Sequence, residues 1–227
     1  MIIGGNTHMQ DLHIHIRDCI GNPDKLQEFV DKGKNYNINE FCFLEHGNRI
    51  SKKHHGFLDS YDSIDLMKET INNVINKNRS VKIYNGIEID YSHDKKFRKR
   101  TLELLRYGNF DIVIGSIHSY RFENGIDYFN SILDMINNYP INIIGHIKLT
   151  EDWKEYKEIL KRIINECSNK NIKIEINTSS RSIWNEEQFD FMIDTIFKHN
   201  ASFTCGSDAH HIDEIGANYK VLKKKIK

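Results

Sequence analysis

The sequence predicts an α/β fold: a barrel or near-barrel of seven strand–helix units, in one domain spanning residues 1–227. Three observations carry this. Short apolar runs alternate with amphipathic helical patterns along the whole chain, the signature of parallel strands joined by right-handed crossovers. Most of the runs are continuously apolar, such as Ile112-Val113-Ile114 and residues 141–144, as expected of strands covered on both faces. Seven such units in a chain of 227 residues suit a closed sheet, and neither GxGxxG nor GxxxxGK[ST] is present to argue for an open nucleotide-binding one.

In chain order, Met9 to Ile16 reads as the first strand, and Pro23 opens a helix with Leu26, Phe29 and Val30 on one face. Asn39 to Leu44 is the second strand, followed by a polar loop from Asn48 to Ser60. Ser63 is the expected cap of a helix running to Ile75. Val81 to Ile89 is the third strand, with a basic amphipathic helix from Phe97 to Tyr107. Phe110 to Ile117 and Ile141 to Ile144 are the fourth and fifth strands, separated by a helix from Ile126 to Asn138 that Pro140 stops. A helix from Trp153 to Cys167, a strand from Ile172 to Ile176, a helix from Glu186 to His199 and a strand from Ala201 to Cys205 follow. A last helix is expected from about Ile212 into the lysine-rich tail.

Composition narrows the function classes. Hydrophobic residues make up 39% and charged residues 28%, which fits a folded soluble chain. Lys+Arg and Asp+Glu both total 32, so no net basic charge favours wrapping nucleic acid, and no nucleic-acid partner is expected. No apolar run approaches the length of a membrane span and no signal-peptide pattern opens the chain. The four cysteines, Cys19, Cys42, Cys167 and Cys205, form no CxxC pair and read as idle buried thiols of a reducing, cytoplasmic setting.

The 12 histidines are the unusual feature, because many of them fall at strand ends. In Asp11-Leu12-His13-Ile14-His15-Ile16, period two turns His13 and His15 to one face and Leu12, Ile14 and Ile16 to the other. His46, Glu88, His118 and His146 end the next four strands, and Asp208 and His210 end the last as a second x, x+2 pair. In a parallel barrel all strand C-termini open on one rim, so these eight side chains from six strands converge. That is too many ligands for one ion and suits two or three, of an imidazole-preferring kind such as zinc, iron or manganese. Closely spaced divalent ions suit in-line phosphoryl displacement by an activated water.

In this order, DLHIH, EHG, the glutamate of GIEID, GSIHS, GH, INTS and GSDAH resemble the PHP (polymerase and histidinol phosphatase) superfamily. GSDAHHIDEIGAN and INTSSR look most like its histidinol-phosphatase branch, and the likeness spans residues 9 to about 220. The resemblance implies a distorted (β/α)7 TIM-like barrel with a trinuclear centre on its C-terminal rim. One ion would take His13, His15, Glu88 and Asp208; a second would share Glu88 and take His118 and His146. A third would take His46 and His210, with Asp18 the candidate for its remaining ligand. Glu45 stands where the family usually has aspartate, so its longer arm could orient a ligand or reach an ion itself.

The expected activity is hydrolysis of a phosphate monoester, L-histidinol phosphate first. The nucleophile would be a metal-bound hydroxide held by Glu88, His118 and Asp208. Arg181, just after the sixth strand, is the expected phosphate contact, with Arg49, His54 and Lys148 as further candidates on the rim loops. The partner is thus a small phosphorylated substrate, and the oligomeric state is left open. Rival readings are the same machinery acting on a nucleotide, a sugar phosphate or a nucleic acid end, and a non-catalytic metal-bound scaffold.

Overall fold

A computed structural model of the chain describes residues 9–48, 58–118, 122, 124–179, 184–216 and 219. Strands β1 (Met9–His15), β2 (Ile38–Leu44), β3 (His46–Gly47), β4 (Lys82–Asp90), β5 (Ile112–Ser116), β6 (Ile143–Ile144), β7 (Lys173–Asn177) and β8 (Phe203–Gly206) are all parallel. They pair in the order β1-β2-β4-β5-β6-β7-β8. The two-residue β3 keeps the register of β2 against β4, since Phe43 faces Asn85 and His46 faces Glu88. It is therefore the same strand resumed after Glu45. Backbone bonds from His15 to the Ala209 carbonyl (2.8 Å) and from Asp208 to the His13 carbonyl (2.9 Å) join the last strand's exit to β1. The expected seven-stranded barrel is what the chain builds.

Helices α1 (Pro23–Lys34), α2 (Tyr61–Lys77), α3 (Lys95–Gly108), α4 (Gly125–Asn138), α5 (Lys157–Asn169) and α6 (Glu186–Lys198) follow the strands. Short polar side chains start most of them: Asn22, Ser60, Asp94, Asn124 and Asn185 each accept a first-turn backbone N–H. Ser60, and not Ser63, caps α2; Ser63 is its reciprocal partner three residues on. The fifth helix begins at Lys157, because Trp153–Tyr156 wind as a tighter 3-10 turn. At the expected last helix, Ile212–Glu214 form a 3-10 turn, and nearly all of the lysine-rich tail lies outside the described residues.

Two apolar layers hold the barrel. The larger lies between sheet and helices and includes Ile14, Ile16, Phe41, Phe43, Ile87, Ile89 and Val113. The smaller comprises Leu12, Cys42, Leu44, Ile112, Ile114 and Ile143, packed by Tyr84. Tyr84 shares the period-two face of Glu88, so this second layer plugs the barrel interior beneath the rim. Leu12 was expected to side with Ile14 and Ile16 but belongs to the plug. The register between β1 and β2 slips by one residue between Asp11 and Ile14, so Leu12 and His13 both turn inward. Among the described residues, no helix is long and apolar enough to cross a membrane.

Candidate metal centre

Above the apolar plug the barrel interior turns polar. Glu88, on β4, is its hub. Its Oε1 lies 3.0 Å from His146 Nε2 and 3.2 Å from His118 Nε2. Its Oε2 lies 2.7 Å from His46 Nδ1, 3.4 Å from His15 Nε2 and 3.6 Å from His13 Nε2. Asp208 closes the first group, with Oδ1 3.4 Å from His15 Nε2 and 3.6 Å from His13 Nε2. His210 stacks on His15 with ring centroids 4.2 Å apart. All eight ligand candidates drawn from the strand ends thus come together.

The exit from β8 differs from the expected strand pair. Asp208 and His210 lie past the end of the strand. Asp208 takes a left-handed backbone (φ 52°), and its carbonyl accepts from His210 Nδ1 at 2.9 Å. Asp is one of the few residues that tolerates that conformation without glycine.

Burial falls from floor to mouth. His13, His15, Glu88 and His146 are buried, His46, His118 and Asp208 are half-buried, and His210 is exposed. Burial alone would hold the imidazoles neutral. Instead the carboxylates beside them raise His13 well above its ordinary value, His15 to about 10 and His118 to about 9. The imidazoles in turn keep Glu88 and Asp208 well below the usual carboxylate range against the opposing effect of burial. Carboxylates and imidazoles thus hold each other in their charged forms, protons on the imidazoles standing where a metal ion's charge would sit.

The donor geometry fits metal ions. Glu88 Oε2 is buried and makes no well-directed hydrogen bond, although three imidazole nitrogens surround it. The Nε2 atoms of His13 and His15 approach to 3.2 Å, as do those of His118 and His146. Such atoms aim at shared points between them, as ligands around an ion do. Three sets of donor atoms lie within 4.8 Å of one another: His13, His15 and Glu88; His46, Glu88 and His118; and His15, His46 and His210. In the third set His15 stands where Asp18 was expected. Asp18 is exposed on the 3-10 turn Arg17–Cys19 and joins none of these sets.

Three carboxylates brace the ligands from behind. Glu175 on β7 accepts from His13 Nδ1 at 2.7 Å and from the His146 backbone N–H at 2.6 Å. Asp90 accepts from the His118 backbone N–H at 3.0 Å. Glu45 accepts from the Arg17 N–H at 2.6 Å and the His46 N–H at 3.3 Å, with its Oε2 3.7 Å from His15 Nδ1. Its longer arm therefore lies behind His15 and His46. Glu175 escaped sequence analysis, yet one signal was there: a lone acid between Ile174 and Ile176, in phase with Asn177, in a strand covered on both faces. Of the substrate candidates, Lys148 is exposed, with its backbone N–H donating to the Tyr128 hydroxyl at 2.9 Å. Arg49, His54 and Arg181 lie outside the described residues.

Comparison with known proteins agrees with this architecture. A Clostridium acetobutylicum protein named "Probable histidinol-phosphatase" is 25% identical over 244 residues, covering 92% of this chain and 89% of its own. The crystal structure of histidinol phosphate phosphatase from Lactococcus lactis, complexed with zinc, L-histidinol and phosphate, superposes with a TM-score of 0.73 at 20% identity, over 96% of this chain and 93% of that one. The HisK structure from Listeria monocytogenes gives 0.68 at 16% identity, over 93% and 99%. The sequence model of the PHP domain matches residues 11–179, most of the chain and all but two of the converging ligands. This chain belongs to the PHP domain family.

Proposed function

We propose that this chain is a metal-dependent phosphomonoester hydrolase that converts L-histidinol phosphate to L-histidinol and phosphate. The observation that carries the reading is the convergence of imidazole and carboxylate donors on Glu88 at the barrel mouth. The name of the C. acetobutylicum relative supports the substrate, as does the ligand set of the L. lactis structure. Two or three divalent ions (zinc, manganese or iron) would supply Lewis acidity and an activated water.

The chain's own residues prepare the site. The Glu88 carboxylate, held ionised by its imidazole neighbours, turns one oxygen to His118 and His146 and the other to His13, His15 and His46. With ions bound, it would be held in common by both groups of histidines. His13 holds a proton on Nδ1 for Glu175, because an ionised carboxylate can only accept, and so presents Nε2 to the centre. The buried floor keeps bulk water out, and the half-buried Asp208 and exposed His210 mark the side from which a phosphate enters. Arg181, four residues beyond β7 in sequence, is the proposed cation for the phosphate oxygens. A cytoplasmic role in histidine biosynthesis is part of the proposal.

The test is turnover of L-histidinol phosphate by metal-replete protein, beside a panel of nucleoside and sugar monophosphates. Strong preference for histidinol phosphate is the expected result. Better turnover of another ester discards the substrate and keeps the chemistry; no turnover on any ester with ions bound favours the scaffold reading. Arg181→Ala should raise KM about 10- to 100-fold, the worth of one hydrogen bond to a charged group, with metal content unchanged.

A further inference from the structure

Glu175 touches two ligands that belong to different ion positions. His13 lies with His15, Glu88 Oε2 and Asp208, whereas His146 lies with His118 and Glu88 Oε1. One oxygen of Glu175 receives the His13 ring N–H, and the other receives the His146 backbone N–H and, at 3.2 Å, the Asn177 amide. The carboxylate is buried. The barrel leaves room for it through a missing side chain at Gly206. A Cβ on Gly206 would collide with Glu175 Oε1 and come within 2.6 Å of the His13 Cβ.

We propose that Glu175 is a shared positioning residue that couples the His13 ion position to the His146 ion position, so that both are pre-shaped, or lost, together. The inference rests on the metal reading of the site. It does not depend on which ester is hydrolysed. The chemistry is specific to a carboxylate. Glu175 accepts three N–H groups and donates none. A glutamine of the same length offers one accepting oxygen and turns an NH2 toward at least one donor, so it cannot hold both halves. Partners that orient ligand imidazoles are worth about 10- to 100-fold in metal affinity.

The experiment is calorimetric titration of the metal-stripped full chain with zinc, with bound metal per chain measured after dialysis. In Glu175→Gln, the affinities of two equivalents should fall together, each about 10- to 100-fold. Glu175→Ala, which removes all three contacts, should give the same paired loss. Asn177→Ala removes only the longest of the three contacts and should retain both equivalents within a few-fold. Circular dichroism of each stripped variant confirms that it is folded, and Glu175→Ala decides should Glu175→Gln fail to fold. Loss of a single equivalent, or unchanged affinity in both variants, overturns the coupling. A wild-type chain that takes up no zinc overturns the metal reading and this inference with it, whereas normal uptake without histidinol phosphatase activity overturns only the proposed substrate.

Discussion

His46 Nδ1 lies 2.7 Å from Glu88 Oε2, and the two residues face each other across the strand pair β3–β4. That register match places the end of the second strand against the hub of the site. Glu88 belongs to two of the three donor sets, reaching His13 and His15 through Oε2 and His118 and His146 through Oε1. Glu88→Ala should therefore remove the metal held by the two donor sets that contain it and reduce turnover to background. His118→Ala should do so at the His118–His146 side, leaving the His15, His46 and His210 set able to hold an ion. Metal analysis beside phosphatase assays checks both, and full activity in either variant would sink the catalytic reading.

Glu45 lies behind His15 and His46 only, without touching the His118–His146 pair. Glu45→Gln should weaken by about 10- to 100-fold the metal held through His15 and His46. The titration used for Glu175→Gln measures it.

The four cysteines are free and buried. Burial raises Cys19 to about 11, Cys167 and Cys205 to about 12, and Cys42 well above its ordinary value. The thiolate is the reactive form, so a raised value means thiol below it and no reaction. Ellman's reagent at pH 8 should label none of them in the native chain. Labelling should begin only as pH approaches about 11 or when the chain is unfolded, where all four react. Rapid native labelling would show an open thiol site that the fold does not contain.

Ser60 accepts the Ser63 N–H at 3.2 Å, and the Ser63 hydroxyl donates back to the Ser60 carbonyl at 2.8 Å. Ser60→Ala should cost about 1 kcal/mol and lower the melting temperature by about 2–4 °C, with metal content unchanged. Thermal unfolding followed by circular dichroism measures it.

Local pattern was enough to reveal the alternation of strands and helices and the candidate ligands that converge at the strand ends. Period-two runs and helical stripes are written in consecutive residues, and parallel strands deliver their C-termini to one rim whatever the details of closure. His13, His15, His46, Glu88, His118 and His146 could be named on that ground alone. Three matters were settled only by the tertiary structure. The slip in register at Leu12–His13 decides which way Leu12 faces, and it depends on how β2 pairs alongside. The choice of His15 over Asp18 in the third donor set depends on where the exit from β8 carries His210. The bond from Glu175 to His13 spans 162 residues. An acid on a strand shows its need for a partner through its burial, but which imidazole meets it is fixed by the closing of the barrel, a relation between distant strands that no local pattern encodes.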